Sequence, residues 1–277
     1  MCGILGAVVN KDREQVIKTL YDLFLNQKTR GTDGAGISVN NGGELFRFRS
    51  LSPFRLFAVY NYWVWQNVAK NSLVMVHHRY PTSSENKVVF NHPIANEDDT
   101  VHLIHNGVLV NDKELFKKQK KNHTFETLKK DKFTDSEVIV HLFEDELKKA
   151  NGDIAKALKG VYKETEGSFS IALNIKGETG VYLMKHSMPV IISKDDNGNY
   201  YFSSQLSAKS YLSKITELAE GEIGILKEDG YTKLSKCKEK TRKYKTVFYE
   251  SNEDSNKDEV HLNAKGYWVN TGQTKWN

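Results

Sequence analysis

The residue with the most chemistry to offer stands second in the chain, in MCGILGAVVN. With Met1 removed, Cys2 carries both a thiol and a free α-amine. An α-amine titrates at about 7.7–8.0 and a thiol at about 8.5, and a base is most useful when its pKa lies near the working pH. The amine, directly or through a water, could take the thiol proton as sulfur attacks a carbonyl, then return it to a leaving amine. No catalytic histidine is needed. The plainer alternative is a small residue ahead of a buried strand, since cysteine is most often a buried hydrophobe.

Acyl transfer also needs donors for an oxyanion. His105-Asn106-Gly107 follows the apolar run VHLI. An Asn amide and a Gly N–H can converge on one oxygen, because Gly lets the backbone approach and turn. The same Asn-Gly pair between strand-like runs equally predicts a two-residue hairpin turn. Arg79, in HHRYPT, offers a fork that suits a carboxylate; the alternative is a surface arginine at a strand end. Asp135, in FTDSEVIVHLF, could bind an ammonium group. Otherwise it is an acid favoured in a first helical turn, behind a capping box of Thr134 and Glu137. Arg79 and Asp135 flanking one pocket would hold a free α-amino acid by both its charged groups. His77, His78, His92, His102 and His105 lack the spacing of a zinc site and have no cysteine nearby. No metal and no cofactor is predicted, and no Gly-rich phosphate loop is present.

These residues need elements to hold them. GILGAVVN (3–10) reads as a buried strand. Val16, Ile17, Leu20, Leu23 and Phe24 share one helical face. RGTDGAGISV is a Gly-rich turn entering a strand, and LVMVHH (73–78) and VHLIHN (101–106) read as strands. Val138, Ile139, Leu142, Phe143 and Leu147 mark a second amphipathic helix; Ile154, Leu158, Val161 and Tyr162 mark a third. From residue 168, SFSIALN, GVYLM, PVIIS, NYYFSS and EIGIL are short strands between Gly, Asp and Asn turns. LSAKSYLSKI (206–215) reads as an inserted helix. Many strands with helices grouped between them predict two sheets with helices outside.

The chain has 277 residues, enough for a sizeable core, with 39% hydrophobic and 27% charged residues. A net charge of +5 is no nucleic-acid footprint by itself. The two cysteines, Cys2 and Cys237, predict reduced thiols and a cytoplasmic setting. No run approaches the ~18 apolar residues of a membrane span, and ILGAVV is too short and lacks the basic leader of a signal peptide. Residues 2–234 read as the main domain. The opposed runs KCKEKTRKYK and ESNEDSNKDE read as a solvated linker within 235–277. An aromatic tail with Tyr267, Trp268 and Trp276 follows. The segment 50–70 is unusually aromatic as well, and reads as core helix or as a partner-facing patch.

In this order, MCGILGAV, TRGTDGAG, HHRYPT, NHP, HNGVLVN, TDSEVIVHLF, GSFSIALN, SMPVIIS, YYFSSQLSA and LAEGEIGIL resemble the class II glutamine amidotransferase domain of the N-terminal nucleophile hydrolase superfamily. The likeness covers roughly residues 2–227. HHRYPT and TDSE look most like the glutaminase half of amidophosphoribosyltransferases; HNGVLVN and NHP look equally like that of glucosamine-6-phosphate synthases. The resemblance implies an α+β fold, an αββα four-layer sandwich. It implies Cys2 as nucleophile with its own amine as base, and Asn106 and Gly107 as the oxyanion hole. Arg79, with the backbone near Tyr80 and Thr82, would bind the glutamine α-carboxylate, and Asp135 the α-ammonium. Arg30, Asp33 and Gly34 would form the supporting loop beside Cys2. Tyr80 stands where some relatives have Trp, and Ser83-Ser84 where synthase relatives have His-Gly. The relatives use the released ammonia in a second domain. Here a separate synthase chain is the expected partner. A stand-alone γ-glutamyl amide or peptide hydrolase, or a non-catalytic binding subunit, would share the fold.

Overall fold

In the computed structural model the described residues are 2–27, 33–56, 65–80, 86–130, 132–206, 212–240, 260–262 and 268–270. The chain divides into two units, residues 1–237 and 238–277.

Strand β1 (Gly3–Val8) is buried along its whole length. Side chains alternate across a strand, so the two faces of β1 enter different apolar layers. Leu5 and Ala7 pack with Val16, Leu20, Leu23 and Phe24 of helix α1 (Arg13–Asn26). Ile4 and Val8 pack instead with Ile104, Ala172 and Leu183. The short, continuous apolar run ILGAVV is what a strand buried on both faces requires.

Around β1 lies a seven-stranded sheet in the order β11-β9-β10-β1-β4-β2-β3. The other strands are β2 (Gly34–Asn40), β3 (Leu45–Ser50), β4 (Leu73–Arg79), β9 (Ile191–Lys194), β10 (Tyr200–Ser203) and β11 (Ser213–Glu217). A second sheet runs β13-β12-β8-β7-β6-β5. Its members are β5 (Ile94–Ala95), β6 (Val101–Leu109), β7 (Gly167–Ile175), β8 (Val181–His186), β12 (Glu222–Lys227) and β13 (Gly230–Lys236). Its outer face carries Leu103, Phe169, Ile171 and Met184. These pack against Val138, Ile139 and Phe143 of α3 (Asp135–Lys149) and Leu158 and Val161 of α4 (Ile154–Glu164). Helix α2 (Asp112–Gln119) adds Leu115 to that layer. Three apolar seams between four layers make the expected αββα sandwich. Each large aliphatic or aromatic side chain sealed in a seam contributes about 1.5–3 kcal/mol. Among the described residues no helix is long and apolar enough to cross a membrane.

Two readings of the sequence are overturned. Ser213–Ile215, expected as the end of a helix, instead opens strand β11 (Ser213–Glu217) on the edge of β9. The helical period rested on few apolar residues, and one of them, Ile215, is 45% exposed; pairing with an open sheet edge outweighs it. Residues 207–211 of that expected helix lie outside the described ones. Asn106-Gly107 is no hairpin turn: both residues lie inside β6, paired with Ser170 and Phe169 of β7. Of the aromatic 50–70 stretch, Leu56, Trp65 and Val68 are buried under the first sheet, whereas 57–64 lie outside the described residues. In the second unit, β14 (Val260–Leu262) pairs antiparallel with β15 (Trp268–Asn270).

Polar ties cross the seam between the sheets. At one end Asn174 Nδ2 donates to Ser38 Oγ (3.0 Å) and to the Leu73 carbonyl (3.2 Å). At the other, the His77 ring bonds the His105 carbonyl through Nε2 at 3.0 Å. A carbonyl only accepts, so His77 carries its proton on Nε2. The rings of His77 and His92 lie 4.0 Å apart between centroids. Burial holds the pKa values of His77 and His92 well below the ordinary imidazole value, and His105 below it as well. All three are neutral in the folded state. Released on unfolding, each regains a value of about 6.5, so below that pH the unfolded chain binds more protons than the folded one. Stability is therefore full above pH 6.5 and falls as the pH drops below it. The urea midpoint at pH 5.5 is expected to lie below that at pH 7.5; equal midpoints would contradict the neutral histidine row.

Candidate active site

The period-two alternation that puts Ile4 into the seam between the sheets puts Cys2 on the same side, at the seam's mouth. β1 and β4 are antiparallel with Gly3 opposite His78, so Cys2 stands beside the end of β4. Leu73 and Met75 face the seam, and the same parity carries His77 and Arg79 there. On the opposite sheet Ile104 faces the seam, and Asn106 follows at the next position of that face.

The half-buried Cys2 sulfur accepts a hydrogen bond from the Tyr80 N–H at 3.3 Å and lies 3.6 Å from the Tyr80 carbonyl. Burial pushes its thiol pKa up, against the Tyr80 backbone bond; the Asp135 charge adds to the rise and the Arg79 charge opposes it. The resting group at neutral pH is thus the thiol, within the electrostatic reach of both residues expected to hold the substrate.

Arg79 is only 3% exposed. Its guanidinium donates to Asn91 Oδ1 at 3.2 Å, and Asn91 Nδ2 donates to the Ser50 carbonyl at 2.9 Å. Burial lowers the Arg79 pKa, and the charges of Cys2 and Asp33 work against that. Asp33 is tied to the end of β4, its N–H donating to the Arg79 carbonyl. Gly34 pairs with Arg79. A Cβ at Gly34 would lie 2.5 Å from the Asn91 amide, so a larger residue would disturb the group that orients Arg79.

Asn106 is fully buried, and neither its Nδ2 nor its Oδ1 has a hydrogen-bond partner among the described residues. A buried amide with both polar atoms unmatched is costly and uncommon. Gly107 has φ +141°, and a Cβ there would meet the Ser168 carbonyl at 2.1 Å. The positive φ turns the peptide away from a regular ladder, which only Gly permits at low cost.

Asp135 is the first residue of α3. Its Oδ2 accepts from the Leu109 N–H at 3.0 Å, and Ser136 donates to its Oδ1 at 3.3 Å. Thr134 caps the helix, accepting from the Glu137 N–H at 3.3 Å. The capping box is not closed, because the Glu137 carboxylate turns instead to the N–H groups of Glu126 and Thr127. Thr134 N–H finds Thr127 Oγ1 at 3.0 Å. Asp135 is therefore rigidly placed by a loop the sequence reading did not include.

Of the expected residues, Cys2, Asp33, Gly34, Arg79, Tyr80, Asn106, Gly107 and Asp135 gather at the mouth of one seam. Arg30 and Thr82 lie outside the described residues, as do Ser83 and Ser84. Asn91 and the pair His105–Ser136, bonded at 3.0 Å, were not singled out. The NHP motif was the available signal for Asn91.

Residues 84–210 match the family described as "Glutamine amidotransferase domain". The glutamine–fructose-6-phosphate aminotransferase (isomerizing) of Campylobacter jejuni is 31% identical over 252 residues, which is 85% of this chain and 40% of that protein. Its namesake from Sulfolobus acidocaldarius is 27% identical over 234 residues, 82% of this chain and 37% of that protein. This chain thus spans 37–40% of the length of these relatives. Among solved structures, glutamine phosphoribosylpyrophosphate amidotransferase from B. subtilis aligns with a TM-score of 0.65 at 18% identity, over 84% of this chain and 48% of that one. An allosteric regulatory enzyme of purine biosynthesis aligns at 0.67 and 19% identity, over the same shares. At such identities the structures speak for the fold alone. Taken with the ordered motifs and the two-sheet sandwich, these likenesses show a class II glutamine amidotransferase domain in this chain, on the N-terminal nucleophile hydrolase fold.

Proposed function

We propose that this chain hydrolyses glutamine to glutamate and ammonia through a thioester on Cys2, and that a separate synthase chain takes up the ammonia. The observation that carries the reading is the buried Asn106 amide, unpartnered at both polar atoms on the seam face that Cys2 closes. A group left unmatched in the resting protein is matched when a substrate oxygen arrives.

Glutamine lies with its α-carboxylate on Arg79, the backbone near Tyr80 and Thr82 assisting, and with its α-ammonium on Asp135. Arg30, Asp33 and Gly34 support the loop beside Cys2. After loss of Met1, the Cys2 amine takes the thiol proton, and sulfur adds to the side-chain carbonyl carbon. The negative charge that develops on the oxygen is met by Asn106 Nδ2 and the Gly107 N–H. The ammonium of Cys2 then protonates the departing nitrogen, the C–N bond breaks, and ammonia leaves a γ-glutamyl thioester. Water, activated by the same amine, adds to the thioester; the C–S bond breaks, giving glutamate and the free thiol. The aromatic patch at 54–65 or the tail at 260–277 is the segment proposed to contact the synthase.

Mass spectrometry of the purified chain after incubation with a glutamine-like electrophile tests the core of this reading. Loss of Met1 and a single label on Cys2 are expected; retention of Met1, or no label, overturns it. Cys2→Ala abolishes ammonia release, and Asn106→Ala lowers kcat by about 10²–10³-fold while leaving KM for glutamine within about twofold. Arg79→Lys keeps the charge but loses the fork, so steady-state kinetics should show KM rising more than kcat falls. Removal of the Asp135 charge lowers the Cys2 pKa, since that charge helps raise it; Asp135→Asn should speed iodoacetamide alkylation of Cys2 at pH 7. Failure of any synthase to co-purify, together with high uncoupled glutaminase activity, would overturn the partner assignment.

A further inference from the structure

On the outer layer, away from Cys2, three segments converge: the turn between β5 and β6, the loop after α2, and the middle of α3. They bring together Glu97, His123, His141 and Glu144, whose nearest ligand atoms all lie within 4.8 Å of one another. His141 and Glu144 are three residues apart on α3 and share a face. We propose that these four side chains form a site for a single divalent transition-metal ion of the zinc class, which pins the two loops to α3.

The placement of His123 carries the proposal. Its side chain is 3% exposed. Its Nε2 is bonded to Asp145 Oδ1 at 3.0 Å, and a carboxylate there accepts, so the proton sits on Nε2. The other ring nitrogen, Nδ1, is buried and without a hydrogen-bond partner among the described residues. It faces Glu97 Oε1 and Glu144 Oε2, each at 3.6 Å. Both distances are too long for hydrogen bonds. Two carboxylate oxygens facing a ring nitrogen call for positive charge between them, supplied by a proton on Nδ1 or by a bound cation.

The spacing fits such a cation. With metal–ligand distances of about 2.0–2.1 Å in a tetrahedron, neighbouring ligand atoms lie about 3.3 Å apart. Nδ1 of His123 stands close to that distance from both oxygens. His141 Nδ1 donates to Glu144 Oε2 at 2.9 Å; a metal ion would displace that proton as the pair opens by a few tenths of an ångström. Two imidazoles and two carboxylates suit a first-row divalent ion over magnesium or calcium. The outer partners are also in place. Asp145 orients His123 as carboxylates orient zinc-bound histidines. Asn96 Nδ2 donates to Glu144 Oε1 at 3.0 Å, and the Thr124 N–H donates to Glu97 Oε1. The Glu97 side chain is 34% exposed and gives an ion a way in. The sequence reading weighed five other histidines for metal and set them aside. His123 and His141 lie 18 residues apart, beyond any usual ligand spacing, and only the fold brings them together.

The test uses the full-length chain, stripped with EDTA and titrated with zinc sulfate by calorimetry, with cobalt(II) absorption as a second readout. One equivalent of zinc should bind, the melting temperature should rise on binding, and cobalt should give visible bands of tetrahedral intensity. His123→Gln and Glu97→Gln should each weaken zinc binding at least tenfold, and Asp145→Asn about tenfold; Cys2→Ser should leave it unchanged. Glu97→Gln sits at the surface and keeps the melting temperature of the stripped parent, so loss of zinc there reports the site and not the fold. Less than a tenth of an equivalent bound, unchanged affinity in Glu97→Gln, or loss of binding in Cys2→Ser would each overturn the proposal.

Discussion

The bond between the His77 ring and the His105 carbonyl ties β4 to β6 across the buried seam between the sheets. It fixes how far the strand ending in Arg79 can slide over the strand carrying Asn106. Register within each sheet is set by backbone ladders, but register between two stacked sheets rests on side-chain packing and a few such bonds. One residue beyond His105 lies the proposed oxyanion donor, and two beyond His77 lies the proposed carboxylate ligand. The reacting geometry therefore inherits its tolerance from a single neutral histidine at the crossing.

That histidine does not stand alone. His92 packs on it, and Asn91, just before His92, orients Arg79. The guanidinium is thereby positioned by the loop that also lines the histidine row. Keeping the row uncharged matters electrostatically. A protonated imidazole there would add a second buried cation beside Arg79, with desolvation costs of several kcal/mol per ion. Asp135, from a different layer of the sandwich, brings a carboxylate to the end of the strand that carries Asn106. Arg79 comes from the first sheet and Asp135 from the helix layer over the second, an arrangement that suits a zwitterionic amino acid.

Helix α3 connects the site to the outer surface. Its first residue, Asp135, is held by the Leu109 N–H, while His141 and Glu144 lie within the proposed metal site. At 1.5 Å per residue, about 9 Å separates Asp135 from His141 along the axis. An ion there would brace the helix that presents Asp135 without touching substrate.

By itself the sequence determined the strands and helices whose apolar periods are unbroken. ILGAVV, LVMVHH and VHLIHN can be buried on both faces and little else, and the faces of α1, α3 and α4 are written in their spacing. It also determined which side chains have reactive chemistry, because Cys2, Arg79, Asn106 and Asp135 stand out by type and local setting. It could not decide between a hairpin and an oxyanion site at Asn106-Gly107, since both need a Gly free to take positive φ. Only pairing with Ser170 and Phe169 settles that Gly107 lies within a strand. Nor could it decide the state of Ser213–Glu217, where an open edge of β9 outweighed a weak helical period. The open capping box, the Asn91 support of Arg79 and the gathering of Glu97, His123, His141 and Glu144 were likewise decided by tertiary structure. Each depends on residues distant in sequence meeting in the fold, where a polar group withdrawn from water is stabilised by whichever partners the packing brings to it.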